Sequence, residues 1–483
     1  MAKGTIYLIV ASVVFSLTGY AIHFWLGREM GPAEYGAFGV VLYLMTTINL
    51  FITSGIPRSV SKYVAEGNYS TKDIVKYGNR LQLIFCAIVF VLYLGFSGVI
   101  ANFLKDPSLT PYIRISALAV PTYALYSIYN TGYLNGLRKF GLQALTSMGD
   151  SVIKLAAVFG LVLLGFGVGG ALAGYVLATL VAFLLAWRFV GPLGKSQALF
   201  DWKKLLSFSA PATGFAVAFF LLVSLDLFAV KAMGIGEIEV GYYTSATTVS
   251  RAPYYLFSGL AMSLFPSISR STSTNNADLT ASYIRQSMRY MLMLLVPSVL
   301  LISVTSKDLL SLVYSSRYID AAVPLSVLSF GLGFLTIFFV LSHMIMGRGK
   351  PGVVLFMALI LVAMDIGLNI LLIPTYGLTG AAWATTITGL AGMCAAAVYV
   401  LREFKTLLGI SSLIKISVAA TVIYAIAAQV SFPPLWLPAV YTGLFALYAG
   451  ILWLLKELNK DDLRTVRKVV PLLKSPGIGN RTS

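Results

Sequence analysis

Long apolar blocks alternate with short polar joins from one end of this chain to the other. A helix that crosses a bilayer needs about 20 mostly apolar residues. Blocks of that length lie near 5–27, 36–56, 81–104, 112–135, 141–164, 168–190, 206–232, 240–265, 286–304, 320–346, 351–375, 377–400, 411–430 and 435–457. The pattern predicts an all-α integral membrane protein with fourteen transmembrane helices. The longest joins, about 57–80 and 266–285, leave no room for a soluble domain. The first block has one early lysine, Lys3, and no small-residue cleavage site, so it reads as a helix that stays in place. Several blocks carry charges, and two of these stand out. Arg251 stands near the middle of the eighth, and Arg289 stands at the start of the ninth, with Lys307 and Asp308 just beyond it.

Composition supports the membrane reading, with 58% hydrophobic residues and 11% charged ones, at a mean hydropathy of +0.85. A soluble chain of this size needs more charge to cover its surface. The formal net charge of +17 would suggest nucleic acid in a soluble protein. Here the placement of the charges matters more, because cytoplasmic loops of membrane proteins collect Lys and Arg. With the N-terminus inside, most of the 35 Lys and Arg fall on the inner side. Arg28, Lys105, Arg114, Lys231, Lys307 and Arg317 fall on the outer side, and Lys154 and Arg251 lie within spans. Both termini are therefore expected in the cytoplasm, with the bilayer and not nucleic acid as the partner of the positive charge. Cys86 and Cys394 both sit in apolar runs, which argues against a disulfide and against a metal site.

The sequence also repeats. "MGPAEYGAFG" at 30–39 is answered by "MGIGEIEVGYY" at 233–243, and "PRSVSK" at 57–62 by "PSISR" at 266–270. "GLRKFG" at 136–141 is answered by "GRGKPG" at 347–352, and "FGVGGALAG" at 166–174 by "YGLTGAAWA" at 376–384. Order and spacing are kept, so the chain reads as two six-helix lobes in parallel repeat plus two C-terminal helices. The expected units are an N-terminal lobe at 1–199, a C-terminal lobe at 200–408, the last two helices at 409–457 and a basic cytoplasmic tail at 458–483.

Ionisable groups at membrane depth are expensive and by default mark a pathway. Arg251 has no acid within four residues on its own helix. Thr244, Thr247, Arg251, Tyr254 or Tyr255, and Ser258 recur at helical spacing and share one face. Such a stripe fits a watered cavity that receives an anion, and a guanidinium suits a phosphate because its planar fork donates two hydrogen bonds. An interhelical salt bridge with Asp226 or Asp365 is the structural alternative. Lys154 has Asp150 one turn earlier, the arrangement of a local pair. The repeat aligns Lys154 with Asp365 and His23 with Asp226. Asp226 reads as a carboxylate that couples transport to a cation, H+ or Na+, as half of an ion pair, or as a group exposed at the membrane interface. His23 reads either as its counterpart in the first lobe or as a structural histidine near a span end. Arg58 and Lys62, at the inner end of the second block, read either as inner-side charge markers or as a cytoplasmic mouth for a pyrophosphate.

These residues also carry a resemblance. "GPAEYGAFG" followed by a span ending "GIPRSVSKYVAEGN", together with "VGYYTSATTVSRAPYYLFSGLAMSLFPSISR" and "LIPTYGLTGAAWATTI", resembles the multidrug/oligosaccharidyl-lipid/polysaccharide exporter superfamily over essentially the whole chain. Within it the chain most resembles the polysaccharide-biosynthesis branch, the flippases of lipid-linked oligosaccharides. It is also similar to the lipid II flippases. Pro57, Lys62 and Ala65-Glu66-Gly67 match their motif, as do Arg251 and Pro253, whereas Ser61 stands where that branch has a first basic residue. The resemblance implies two six-helix lobes and alternating access. It also implies an anionic, polyprenyl- or dolichyl-linked oligosaccharide as substrate, held by Arg251, Lys62, Arg58, Lys154, Tyr255 and Thr247, with no cofactor. An ion-coupled multidrug antiporter of the same superfamily is the alternative. It would be expected to place acids, not an arginine, at its centre. A membrane enzyme would need a sizeable outer loop carrying catalytic groups, and the outer joins are short.

Overall fold

Apolar blocks in lipid can satisfy their backbone N–H and C=O groups only internally, and that dictates helices. The computed structural model describes residues 2–67, 69–191, 201–274, 276–430, 433–458 and 462. Among them every regular element is helical. Eight helical stretches of the described residues are long and apolar enough to cross a membrane, or nine if the bent pair Thr213–Leu222 and Leu225–Ala232 counts as one span. The outer surface is itself apolar. Leu163, Leu164 and Phe103 are 70%, 74% and 73% exposed, as lipid-facing side chains should be. Cys86 is buried, Cys394 is exposed, and neither is in a disulfide. The expected tail, apart from Leu458 and Asp462, lies outside the described residues.

Two helices exceed any single crossing. Ala2–Thr53 has 52 residues and Pro351–Phe404 has 54, about 80 Å each at 1.5 Å per residue, against a hydrocarbon core of about 30 Å. Each is therefore broken by a glycine in a non-helical conformation: Gly31 (φ 76, ψ 177), followed by Pro32, and Gly377 (φ 56, ψ −133). The breaks recur where the sequence repeats. Gly167 (φ 50, ψ −136) has nearly the backbone of Gly377. Gly234 matches Gly31 at φ 78 and 76, and Gly349 and Arg138, at paired positions, are both left-handed. The internal duplication is thus visible in backbone conformation as well as in residues.

Several expected spans are broken instead of continuous, and two of the breaks bear on Arg251. The seventh block divides into Lys203–Leu222 and Leu225–Ala232, which meet at a 53° bend. The eighth divides into Glu237–Ser250 and Ala252–Ser273, which meet at Arg251. Pro253 lies at the start of the second piece, where its missing N–H is tolerated. The ninth is one long helix, Ala277–Val304. Its Arg289 is held by Glu457 and Asp462, each at 2.9 Å.

The two repeat copies meet along the second limb of Ala2–Thr53 and the Glu237–Ser250 helix. A Cβ at Gly36 would lie 2.7 Å from the Gly241 nitrogen, so the backbones touch where only glycine fits. Around this seam the Arg28 guanidinium donates to the carbonyls of Leu312 and Val313, and Tyr318 donates to the Gly27 carbonyl at 2.7 Å. Lys105 donates to the Met233 carbonyl at 3.3 Å, and Lys231 pairs with Asp106 at 2.6 Å. Of the six cations expected on the outer side, Arg28, Lys105 and Lys231 thus tie one half to the other. The seam lies at the end of the helices remote from the N-terminus.

Candidate functional site

A cavity of about 580 Å³ opens between the halves. Its walls come mostly from the first half, with Phe220, Thr248, Arg251 and Tyr255 of the second half closing one side. Among the residues lining it, Arg251, Asp150 and Lys154 are the charged ones. Arg251 is 2% exposed. The local chain explains its posture. The bend after Leu222 leaves the Val223 carbonyl outside a regular helix, and one guanidinium N–H of Arg251 donates to it. The guanidinium carbon lies 4.1 Å from the centre of the Tyr43 ring, a cation–π contact with the first half. Nε has no partner. Among the described residues no ion pair joins Arg251 to Asp226 or Asp365. Of its five N–H donors, several remain for an anion entering the cavity.

The facing wall contains the expected local pair. Lys154 Nζ donates to Asp150 Oδ2 at 2.8 Å, and Thr179 reaches the other carboxylate oxygen at 3.4 Å. The Tyr175 ring lies 5.2 Å from the ammonium. Above them Asn130 donates to Tyr126 and to Ser147, both at 3.0 Å, and accepts from Thr146 at 2.6 Å. Asn130 belongs to a π-helical stretch, Ile128–Leu134. Asn49 also lines the cavity and is buried, with its side-chain oxygen unpartnered. His23 contacts the Tyr35 hydroxyl at 2.9 Å, and Tyr35 meets Tyr314 at 2.8 Å, so this histidine joins the seam.

A second polar cluster is buried in the second half. Asp226 accepts from Tyr243 at 2.7 Å, from Thr385 at 3.0 Å and from the Leu227 N–H at 2.8 Å. Asp365 accepts from Asn369 at 3.2 Å. One oxygen of Asp365, the amide oxygen of Asn369 and the Thr388 hydroxyl have no partner, and all three residues are buried. No cation from the protein pairs with either carboxylate among the described residues. Buried charges without partners are costly, so the cluster calls for a cation or a proton.

Of the residues named from sequence, Arg251, Lys154, Tyr255 and His23 line the cavity, and Asp226 and Asp365 share the second cluster. Thr247 does not face the cavity. It is buried, its hydroxyl donates to the Tyr243 carbonyl at 2.7 Å, and Thr248 takes its expected place. Arg58 and Lys62 lie outside the cavity lining. Arg58 is exposed, and Lys62 stands 3.9 Å from Glu66. Asn49, Asn130 and Tyr43 escaped the sequence reading. The available signal for the first two was an amide inside an apolar block.

The sequence pattern of the polysaccharide biosynthesis proteins matches residues 1–272. The chain belongs to that family. Among its relatives is the probable low-salt glycan biosynthesis flippase Agl15 of Haloferax volcanii, 21% identical over 80% of this chain and 81% of that protein. The lipid II flippase MurJ of Bacillus subtilis is 24% identical over 81% of this chain and 78% of that protein. The fold is shared with a solved lipid II flippase MurJ in an inward closed conformation, at TM-score 0.77 and 16% identity, covering 93% of this chain and 98% of that one. As a member of the family, the protein is a multi-pass helical membrane protein. The family's matched segment contains the Asp150–Lys154 pair and Arg251.

Proposed function

We propose that this chain is a flippase. It carries an oligosaccharide linked through phosphate or pyrophosphate to a polyprenyl or dolichyl tail across the cytoplasmic membrane. Fourteen transmembrane helices form two six-helix lobes at 1–199 and 200–408, with two further helices at 409–457, and both termini are cytoplasmic. The observation that carries this reading is Arg251. It is a buried guanidinium at the junction of two broken helices, unpaired with any carboxylate among the described residues, and it borders a cavity between the lobes. Its free donors hold the phosphate, and Tyr255 and the hydroxyls around it meet the head group. Lys154, neutralised by Asp150, shapes the wall and does not supply free charge. Arg58 and Lys62, outside the cavity, serve the entrance.

Alternating access follows from the seam. With one end sealed by Gly36, Gly241 and their neighbours, the cavity loads from the other end. The lobes then rock about it while the tail stays in lipid. Asp226 and Asp365, with Asn369, Thr385 and Thr388, are the seat of a coupling cation, H+ or Na+. The orphaned oxygens there are the acceptors such an ion needs. A multidrug antiporter reading is disfavoured by Arg251, which repels a cationic drug from the cavity. The two relatives described above are flippases in name, and they support the same reading.

Farnesyl pyrophosphate, an anionic head without sugar, tests the site. The purified wild-type protein is expected to bind it. Arg251→Ala is expected to weaken binding by about 10- to 100-fold, the worth of a charge-assisted hydrogen bond, with Arg251→Lys in between. Unchanged affinity in both variants would remove the phosphate role from Arg251.

A further inference from the structure

The cavity is chemically lopsided. Arg251 supplies a cation without an ion pair on its second-half side, whereas the facing wall presents Asn49, Tyr126, Asn130, Gln143 and Ser147. The cation on that wall, Lys154, is already neutralised by Asp150 at 2.8 Å. Amides buried in a membrane bundle are costly without partners, and Asn49 carries that cost. It is 6% exposed, lines the cavity, and its side-chain oxygen has no donor. An orphaned buried acceptor on a residue that borders a cavity is a group that a ligand's donor can satisfy. Asn130 adds a second sign. It lies in a π-helical stretch, a distortion that recurs at functional sites, and its network with Tyr126, Ser147 and Thr146 holds the wall in shape.

We infer that this wall is the subsite for the glycan head and that it selects uncharged sugars. The inference rests on the flippase reading. Sugar hydroxyl and acetamido groups both donate and accept, which is the repertoire of amides and hydroxyls. The pyrophosphate sits at Arg251, and the sugars extend from it toward Asn49 and Asn130. An acidic sugar in the same position would bury a carboxylate against a wall whose cation, Lys154, is already committed to Asp150, so no free charge offsets its desolvation.

Three probes separate the terms: farnesyl pyrophosphate, the same lipid bearing an N-acetylglucosamine disaccharide, and that compound with a terminal glucuronate. Binding to the purified full-length protein is measured by calorimetry. The neutral sugars are expected to tighten binding about tenfold over the bare pyrophosphate, and the glucuronate compound to lose that gain. Asn49→Leu, which removes the orphaned amide while keeping the branched shape of the side chain, is expected to keep or raise the melting temperature. It should abolish the sugar-dependent gain while changing farnesyl pyrophosphate affinity by less than about twofold. Asp150→Asn frees Lys154 and is expected to raise affinity for the glucuronate compound about fivefold, a gain that misfolding cannot mimic. Equal binding of neutral and acidic compounds by the wild type, or a full sugar-dependent gain in Asn49→Leu, overturns the inference and leaves the flippase reading standing. Failure of all three probes to bind overturns the flippase reading and the inference with it.

Discussion

At the scale of single residues, the account turns on which buried charges have partners. Lys154 has one in Asp150, and Arg251 has a carbonyl and an aromatic ring instead of an acid. Asp226 is satisfied by hydroxyls and a backbone N–H, while Asp365 keeps an oxygen without any donor. Two acids in one buried cluster, with no protein cation at ion-pair distance among the described residues and Arg251 acting on Asp226 only from farther off, are the arrangement that a transported ion would neutralise. Asp226→Asn and Asp365→Asn are therefore each expected to abolish the dependence of transport on an imposed Na+ or H+ gradient. Flux measured with and without the gradient checks this, and a variant that stays gradient-dependent at full rate would remove its residue from coupling. Arg251 was legible in the sequence because a lone arginine interrupts an apolar block. The partners that define its setting were not. Val223 is 28 residues away, and Tyr43 comes from the other repeat.

At the scale of elements, the broken helices and the seam matter most. Gly36 and Gly241 let two helices touch along their backbones, and a side chain at either position forces them apart. Gly241→Leu is expected to open the seam, so that a cysteine placed at Thr248 becomes accessible to a water-soluble maleimide added from that end. Unchanged labelling would show that the contact is not a closure. Lys231 and Asp106 brace the same seam, both nearly buried. Removing one partner of such a pair strands the other, at a cost of about 3–5 kcal/mol. Lys231→Gln is expected to favour the open-seam state accordingly, in the same labelling assay. The pair also carries a pH dependence. Burial pushes the Asp106 carboxyl up, but hydrogen bonds from Lys231 and Ser108 outweigh it and hold the group below the usual carboxylate range. A depressed carboxylate stabilises the folded seam above its unfolded pKa and loses that contribution as pH falls through its folded one. The seam should therefore hold across the neutral range and loosen only below about pH 4. Labelling across pH 3 to 8 reads this, with loosening near neutrality as the opposing result. The apolar blocks announced these helices well, but not the bend after Leu222 or the break at Arg251, because hydropathy does not register a break that stays in an apolar setting.

At the scale of the whole molecule, the duplication was the most legible feature. Three of the four paired motifs reappear as matched backbone geometry, at Gly31 and Gly234, Arg138 and Gly349, and Gly167 and Gly377. What joins the copies was hidden, because Arg28 and Val313 stand 285 residues apart and Tyr35 and Tyr314 stand 279 apart. Arg28→Cys and Val313→Cys, in a chain with Cys86 and Cys394 replaced by serine, flank the seam. Joining them with a short bis-maleimide is expected to stop transport by freezing one state, and transport that continues would argue against rocking lobes. The central claim is translocation itself. The most direct measurement reconstitutes the purified chain in liposomes carrying a fluorescent polyprenyl-pyrophosphate disaccharide in both leaflets, with a membrane-impermeant quencher outside. The account predicts that wild-type protein brings nearly all of the label within reach of the quencher, that Arg251→Ala slows this about 10- to 100-fold, and that a cationic dye trapped inside is not released. Label in the inner leaflet that stays protected while the dye escapes would contradict it.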